Sequence, residues 1–192
     1  QIKQKRRFWL GARCMAAGFP VNAGERKAAS ALESFTMNNP TELIDSYLKG
    51  PALLRQAVAG LSAEQLKARP VAGKWSTLEV VCHIADFEPI MADRMKRIIA
   101  LQTPLLFGAD ENEFAKSLSY HDRDLQEELA IVENTRKQMA RILRKLPAEA
   151  WQRSGNHSER GLRTLEQFVV GATNHIPHHV AFIQEKRKAL GC

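Results

Sequence analysis

Three histidines close to the C-terminal end of the chain have the residue type and spacing that a metal site needs. They are His175, His178 and His179, and the apolar residues around them recur at helical spacing. Side chains four positions apart lie on one face of a helix, so His175 and His179 could hold one metal ion. The same spacing also arises by chance or from core packing, and a third ligand from elsewhere would favour the metal.

The third ligand has few candidates, because the chain has six histidines. His83 lies within a second strongly amphipathic stretch, residues 76–88. One histidine from that helix and the pair from the other would make a three-nitrogen site inside a bundle. Three protein ligands leave positions open for water or substrate, as in catalytic metal sites. The competing interpretation is that the histidines only fill the core, but converging imidazoles without an ion would be hard to satisfy.

Two carboxylates flank His83 on the same helical face, Glu79 four residues before it and Asp86 three residues after it. Histidine ligands usually donate their second N–H to such a group, so we expect Asp86 to orient His83 or to act as a base. Glu79 lies three residues after Ser76 and is expected to cap the helix instead. His178 could be an alternate ligand or a proton shuttle, although a partly exposed helix histidine without a role fits its position at least as well.

Four further residues are candidates for the walls of a substrate pocket. His157 precedes the last predicted helix and could face the pocket, although a loop position without a role is favoured. Arg94 lies two to three turns beyond His83 and could bind an anionic substrate, but a salt bridge on the helix surface is the expected role. Trp75 and Trp151 are expected to be packing anchors rather than substrate platforms.

Long helices must position these residues, and hydrophobic periodicity predicts four of them. They cover about residues 40–61, 76–101, 122–146 and 164–190. Gly50-Pro51 predicts a kink or a break in the first helix and Pro89 a kink in the second, while Pro177 removes one hydrogen bond from the fourth.

Strand signals are almost absent from the sequence. Residues 102–121 form a long connection with one short helical piece, and residues 151–163 are predicted to form a loop or a small hairpin. The expected fold class is therefore all-α, a four-helix bundle with long inter-helix connections.

The composition is that of an ordinary globular domain, with 44% apolar and 26% charged residues among 192. No apolar run approaches the length of a membrane span, about 18 residues. Cys14, Cys82 and Cys192 are scattered without CxxC spacing, which argues against a disulfide framework and against a thiolate zinc site. Cys82 is expected to be a small buried residue. This cysteine usage is typical of a reducing cytoplasm, and we expect the protein to be cytoplasmic.

Most of the net charge of +7 comes from the N-terminal part of the chain. Residues 1–36 contain seven basic and two acidic residues, so the remaining chain carries only +2. Since nucleic-acid binding needs a clustered basic face, a nucleic acid is not an expected partner. We expect residues 1–38 to be a basic extension that is disordered or non-native, with a transit peptide or a genuine basic arm as alternatives. The bundle domain would span residues 39–192.

Several segments resemble the DinB/YfiT-like superfamily of four-helix metal proteins. These are residues 73–86 (GKWSTLEVVCHIAD), Arg94 with residues 97–99, residues 161–165 (GLRTL) and residues 175–183 (HIPHHVAFI). The resemblance covers about residues 40–190, and Pro89 and Pro177 depart from the family pattern near its metal ligands. It implies a divalent metal, zinc or nickel, bound by His83, His175 and His179.

Characterised members of that superfamily include transferases and isomerases that use low-molecular-weight thiols such as bacillithiol, mycothiol or glutathione. The resemblance therefore implies a metal-dependent enzyme that activates a small thiol or water and acts on an electrophilic substrate, in stress response or detoxification. It also implies a homodimer. The alternative is a non-catalytic metal-binding module of stress response or metal handling.

Overall fold

The structure is a computed structural model that describes residues 39–192. Four long helices dominate it, which confirms the all-α class and the four-helix bundle: α1 (Pro40–Val58), α3 (Thr77–Ala100), α5 (Leu125–Leu143) and α6 (Leu165–Leu190). Two short helices, α2 (Ala63–Lys67) and α4 (Glu111–Ser117), lie in the connections. Within the described part of the chain, no helix is both long and apolar enough to cross a membrane. The expectations for residues 1–38 lie outside the described residues.

The helices that carry the histidines begin at well-formed caps. Ser76 forms a complete capping box with Glu79, which confirms the capping role predicted for that glutamate. Thr164 forms the same arrangement with Gln167 at the start of α6. At the other end of α6, Gly191 adopts the left-handed conformation, with φ of 74°, that commonly ends a helix. These caps set the register of α3 and α6.

The four long helices pack as a ring around the core. α1 packs on α5 and α6, and α3 packs on the same two helices, so α1 and α3 are diagonal neighbours. The core has two large clusters along the bundle, one containing Tyr47, Met95 and Met139 and the other containing Leu54 and Val81. Each cluster takes apolar side chains from all four helices, as expected when each helix buries one apolar stripe.

A fully buried ion pair lies within this bundle. Arg136 of α5 and Glu88 of α3 are both 0% exposed, with Nη2 and Oε2 2.9 Å apart. Arg136 also donates to the carbonyls of Tyr47 and Ala172, and the Tyr47 hydroxyl donates to Glu88. The network therefore ties all four long helices together, because each of its residues lies on a different one.

α1 runs unbroken through Gly50 and Pro51, so the predicted break is absent, and a kink there stays a prediction. Proline lacks the N–H that would bond the carbonyl four residues earlier, and that carbonyl belongs to Tyr47. The Arg136 guanidinium donates to it instead, at 2.7 Å. A side chain from another helix thus replaces the bond that Pro51 cannot make.

The other long helices are continuous at their prolines, and one of them starts later than predicted. α3 and α6 run through Pro89 and Pro177 without interruption, and the kink at Pro89 stays a prediction. α5 begins at Leu125 rather than near residue 122, because Tyr120–Asp122 forms a separate 3-10 turn and Asp124 caps the helix.

A small three-stranded sheet lies against α3 and α6. Strand β2 (Ser154–His157) pairs antiparallel with β3 (Gly161–Thr164), so the segment predicted to be a loop or a hairpin is a hairpin. Strand β1 (Leu105–Leu106), from the long connection, pairs parallel with β2. Gly155 of β2 lies against Leu106 and Ile98 with no room for a Cβ, which allows the hairpin to approach the bundle closely. The parallel pair was not predicted.

Candidate metal centre

His83, His175 and His179 converge in the structure, although 92 positions separate His83 from His175 in the chain. The three Nε2 atoms form a nearly equilateral triangle. Their separations are 3.2 Å between His83 and His175, 3.1 Å between His83 and His179, and 3.1 Å between His175 and His179. α3 supplies one nitrogen and a single turn of α6 supplies two, in agreement with the i, i+4 spacing.

Burial keeps the three imidazoles neutral. His83 is 1% exposed and His179 8% exposed. Burial lowers the pKa of His83 to about 4, with the charge of Asp86 opposing part of the shift. Burial, reinforced by the neighbouring histidines, lowers the pKa of His175 to about 3 and that of His179 to about 2. At neutral pH all three rings are therefore in the unprotonated form that binds metals.

The arrangement of the three Nε2 atoms is better suited to binding a divalent cation than to hydrogen bonding among the three rings. Each Nε2 has one in-plane position that holds either a proton or a lone pair, so one proton at most can lie between three nitrogens aimed at a common centre. The remaining lone pairs would face each other without a cation. Nitrogens bound to a tetrahedral zinc ion at about 2.0–2.1 Å lie roughly 3.3 Å apart. The observed separations of 3.1–3.2 Å are close to that value.

The outer ring nitrogens, Nδ1 of all three histidines, are buried without a hydrogen-bond partner among residues 39–192. Asp86 does not accept a hydrogen bond from His83, contrary to expectation. Both of its oxygens accept from Arg123, at 2.8 and 2.9 Å. A bidentate ion pair with a guanidinium is stronger than a hydrogen bond from a neutral ring, which explains this pairing. The role of Asp86 as a base stays a prediction.

Glu111, which no sequence pattern singled out, reaches the centre from α4. Its Oε2 lies 3.9 Å from Nε2 of His83, and its side chain is 54% exposed. The long connection of residues 102–121 has no helical spacing relative to the histidines, so the sequence could not place this carboxylate. The available signal was Asp110, which caps α4 and indicates that an acidic first turn begins there.

A cavity of about 700 Å³ opens beside the three imidazoles. α3 and α6 form its long walls, while Glu111 and the β2–β3 hairpin contribute the rest of the lining. Phe87, Met91 and Phe168 give it apolar surface. Its size and mixed lining are typical of a site for a small molecule.

The two remaining histidine candidates near the site, His178 and His157, line this cavity but do not join the triangle. His178 is exposed, and its ring centroid lies 5.1 Å from that of His179 and 4.8 Å from that of Phe182. Its role as a proton shuttle stays a prediction. His157 is 5% exposed and lines the pocket. Of the two interpretations of this residue, the structure thus agrees with a position facing the pocket.

Arg94 also lines the cavity and does not form the expected surface salt bridge. It donates to the carbonyl of Phe107, and no ion pair among residues 39–192 includes it. Asp93, the carboxylate beside it on α3, is paired with Arg97. Arg94 therefore contributes an unpaired positive charge to the cavity wall.

The structure confirms the packing roles predicted for Trp151 and Cys82. Trp151 belongs to a core cluster, and Cys82 is 0% exposed. Trp75 packs against the second core cluster, with its ring centroid 5.3 Å from that of His83, so it also borders the site.

Comparisons with known proteins agree on the family. Residues 47–183 match the DinB superfamily. A protein of Oceanobacillus iheyensis is 29% identical over 140 residues, which cover 72% of this chain and 81% of the relative. YfiT of Bacillus subtilis is 26% identical over 160 residues, which cover 83% of this chain and 90% of the relative. Both relatives carry the name "putative metal-dependent hydrolase".

Two solved structures resemble the bundle. The structure of YfiT from Bacillus subtilis, described as a four-helix bundle of unusual topology, matches with a TM-score of 0.77 and 26% identity. The match covers 83% of this chain and 91% of that chain. The mycothiol-dependent maleylpyruvate isomerase matches with a TM-score of 0.60 and 11% identity, over 74% of this chain and 60% of that chain. This second likeness shows the fold alone.

Proposed function

The chain belongs to the DinB superfamily, and from that membership and the site geometry we propose that it is an enzyme whose divalent metal is held by His83, His175 and His179. The observation that carries the proposal is the triangle of Nε2 atoms, 3.1–3.2 Å apart, on the wall of a cavity large enough for a substrate. Three neutral imidazoles suit zinc or nickel, and they leave coordination positions open.

The bound ion would supply a nucleophile at neutral pH, because it lowers the pKa of a water or a thiol beside it. The residues of the chain provide the remaining functions. Glu111 is placed to accept the proton that the nucleophile loses, since its carboxylate lies 3.9 Å from the ring of His83. Phe87 and Phe168 give the reacting groups an apolar wall that limits the access of water.

Hydrolysis is the reaction that these features support best. Water bound at a three-histidine centre needs a nearby base, and the half-exposed carboxylate of Glu111 is suitably placed for that role. The names of the two relatives point in the same direction. We propose an ester or an amide as the class of substrate.

Thiol transfer is the second candidate. The ion held by the three histidines would favour the thiolate form of a bound thiol, and the cavity of about 700 Å³ has room for a small thiol together with an electrophile. The fold is shared with a mycothiol-dependent isomerase. A role in detoxification or stress response would follow from this second reaction.

The test begins with the metal content of the purified protein, measured by elemental mass spectrometry. We expect about one zinc or nickel ion per chain in the wild type and almost none in His175→Ala or His179→Ala, because each loses one of three ligands. His178→Ala is the matched control, since His178 lies on the same helix outside the triangle. A wild type that stays empty after reconstitution would refute the proposal.

The same metal-loaded protein then separates the two reactions. Glu111→Gln should retain the ion but lower ester or amide hydrolysis by about 10²- to 10⁴-fold, the usual contribution of a general base. Thiol conjugation should change much less, because coordination alone deprotonates the thiol. Equal hydrolysis by Glu111→Gln and the wild type would remove Glu111 from the mechanism.

A further inference from the structure

The cavity beside the histidines is elongated along two helices. His83 and Arg94 both line it from α3, and His175 and Gln167 line it from α6. At 1.5 Å of rise per residue, the eleven positions between His83 and Arg94 span about 16 Å, and the eight between Gln167 and His175 span about 12 Å. The cavity therefore has a histidine end and, about 12–16 Å away along these helices, a second end.

The second end offers hydrogen-bond donors and three positive charges. Its lining includes Arg94, His157, Arg160, Arg163 and Gln167. None of the three arginines takes part in an ion pair within residues 39–192, and Arg94 Nε is buried without a partner. An arginine has only donors, so the buried Nε of Arg94 needs an acceptor that the described chain does not provide.

His157 and Gln167 are set as donors by their own hydrogen bonds. Nδ1 of His157 accepts from the Glu159 amide, which places the ring proton of the neutral form on Nε2. Burial, followed by the charges of Arg94 and Arg160, lowers the pKa of His157 and keeps the ring neutral. The side-chain carbonyl of Gln167 accepts from the Thr164 amide in the capping box, which leaves its NH₂ group free.

Arg94 is close enough to Arg160 for their charges to repel each other. Burial, followed by the charge of Arg160, lowers the pKa of Arg94, and the carboxylates of Glu159 and Asp93 offset only part of the shift. The Glu159 carboxylate packs against Gly108 and does not line the cavity. Guanidinium groups that cluster without forming ion pairs are stabilised when an anion binds between them.

We propose that the second end binds an oxyanion, a carboxylate or a phosphate, at one end of an elongated substrate whose reacting group lies at the three histidines. This inference deepens the proposed function and depends on it for the position of the reacting group. Phe87, Met91 and Phe168, which also line the cavity, contact the apolar middle of the substrate. A span of about 12 Å corresponds to an extended peptide of three to four residues.

The test uses the metal-loaded full chain and alkyl hydroxamates of increasing length, titrated by calorimetry. The hydroxamate group chelates the metal, and the far end of the probe is a carboxylate, a phosphonate or a neutral carboxamide. We expect a charged end to improve affinity by about ten- to hundred-fold over the carboxamide. The gain should be largest for probes that span about 12 Å and should weaken as salt rises. Whether the carboxylate or the phosphonate binds more tightly identifies the natural head group.

Arginine variants assign the effect to this end of the cavity. Arg160→Gln and Arg163→Gln should each remove most of the affinity gain of the charged probes over the neutral one. Both residues are exposed, so neither substitution should disturb the fold. Arg141→Gln, an exposed arginine of α5 outside this cavity, is the matched control and should retain the gain. Equal affinity for charged and neutral probes, or a gain that survives both variants, would overturn the inference.

Failure of the metal proposal would be recognised separately. Wild-type protein stripped with a chelator is titrated with hexanoate and with hexanamide. Hexanoate should bind more tightly, and the preference should disappear in Arg160→Gln. If the wild type holds no metal but this preference remains, the oxyanion site stands and the metal-dependent function falls. If the purified wild type holds metal but the stripped protein shows no preference for hexanoate, the metal-dependent function stands and the oxyanion site falls.

Discussion

Arg136 shows how one residue can require another residue to be glycine. Its guanidinium is 0% exposed, and a Cβ added at Gly50 would overlap its Nη1 atom. Because Arg136 also holds Glu88 and the carbonyl of Tyr47, it cannot move away without breaking buried hydrogen bonds. The close approach of α1 at Gly50 is therefore a condition for the buried ion pair.

Gly50→Ala should therefore destabilise the fold by about 1–3 kcal/mol, the usual cost of overpacking a core, as measured by urea denaturation. Gly171→Ala is the matched control, since Gly171 is also inside a long helix but has open space around its Cα. That substitution should stabilise the protein by about 0.5–1 kcal/mol through helix propensity. Equal effects of the two changes would contradict this account of Gly50.

Sequence reasoning located some residues of the site and missed others for a physical reason. His175 and His179 share a helix, so their spacing predicts a common face. His83 is one of few remaining histidines and lies in the second strongly amphipathic stretch, and the family resemblance implies the same residue. The partner of Asp86 could not be predicted, because Arg123 lies in a connection whose path depends on tertiary packing. Glu111 was missed for the same reason. Spacing within a helix predicts which face a side chain lies on. The contacts of a loop residue depend on tertiary packing, which the local sequence does not contain.

At the scale of elements, the start of α3 is stabilised by more than its capping box. Glu79 accepts from the Ser76 amide and from Arg69, and it lies 3.1 Å from Nε2 of His121. Burial alone would raise the pKa of Glu79, but the hydrogen bonds from Arg69 and Ser76 and the charge of His121 lower it below its usual 4.5. The carboxylate of Glu79 thus links the start of α3 to Arg69, in the segment before α3, and to His121, in the segment before α5.

This depressed pKa predicts a pH-dependent contribution to stability. A carboxylate whose pKa is lower in the folded state stabilises the fold above its unfolded pKa, and the contribution is lost as the pH falls through the folded pKa. Glu79→Gln retains a capping residue but loses the charge, so we expect it to cost about 1 kcal/mol at pH 7. The difference from the wild type should shrink below pH 4.5, the ordinary pKa of a glutamate. A difference that stays constant from pH 7 to pH 3 in denaturation experiments would rule out a role for the charge.

Long helices could be predicted from the sequence, whereas the shortest strand could not. Four long amphipathic stretches predicted four helices, and Ser76 and Thr164 marked two of the starts closely. β1 has only two residues, Leu105–Leu106, and it is a strand only because β2 lies beside it. α1 continues through Pro51 because a side chain from α5 satisfies the freed carbonyl. Such features depend on packing between distant segments, which local patterns do not contain.

At the scale of the whole molecule, the candidate metal centre joins α3 to α6. An ion that binds only the folded chain should stabilise it, by about 2.7 kcal/mol when the free ion is at one hundred times its dissociation constant. For a chain of this size, that corresponds to an increase of about 5–10 °C in the melting temperature. His179→Ala should show no increase with added metal, whereas His178→Ala should respond as the wild type does. A wild type whose melting temperature does not change with zinc or nickel would contradict this expectation.

The architecture of the whole bundle followed from the sequence, but its cavity did not. Apolar stripes on four helices require a common core, which predicts a bundle. The cavity is instead created by the hairpin and the long connection that flank α3 and α6. Sequence patterns therefore do not indicate its arginine end, and of the three arginines they single out only Arg94 as a possible contact for an anion.

The positions of Arg160 and Arg163 have a consequence for the divergence of related proteins. Arg160 lies in the exposed turn of residues 158–160, and Arg163 is exposed on the adjoining strand β3, whereas all three histidines of the triangle lie on helices of the bundle. Exposed positions in a hairpin tolerate substitution much better than packed positions of helices do. A lineage with this fold could thus exchange one class of compound for another by altering a few codons, while it inherits the same reaction chemistry unchanged.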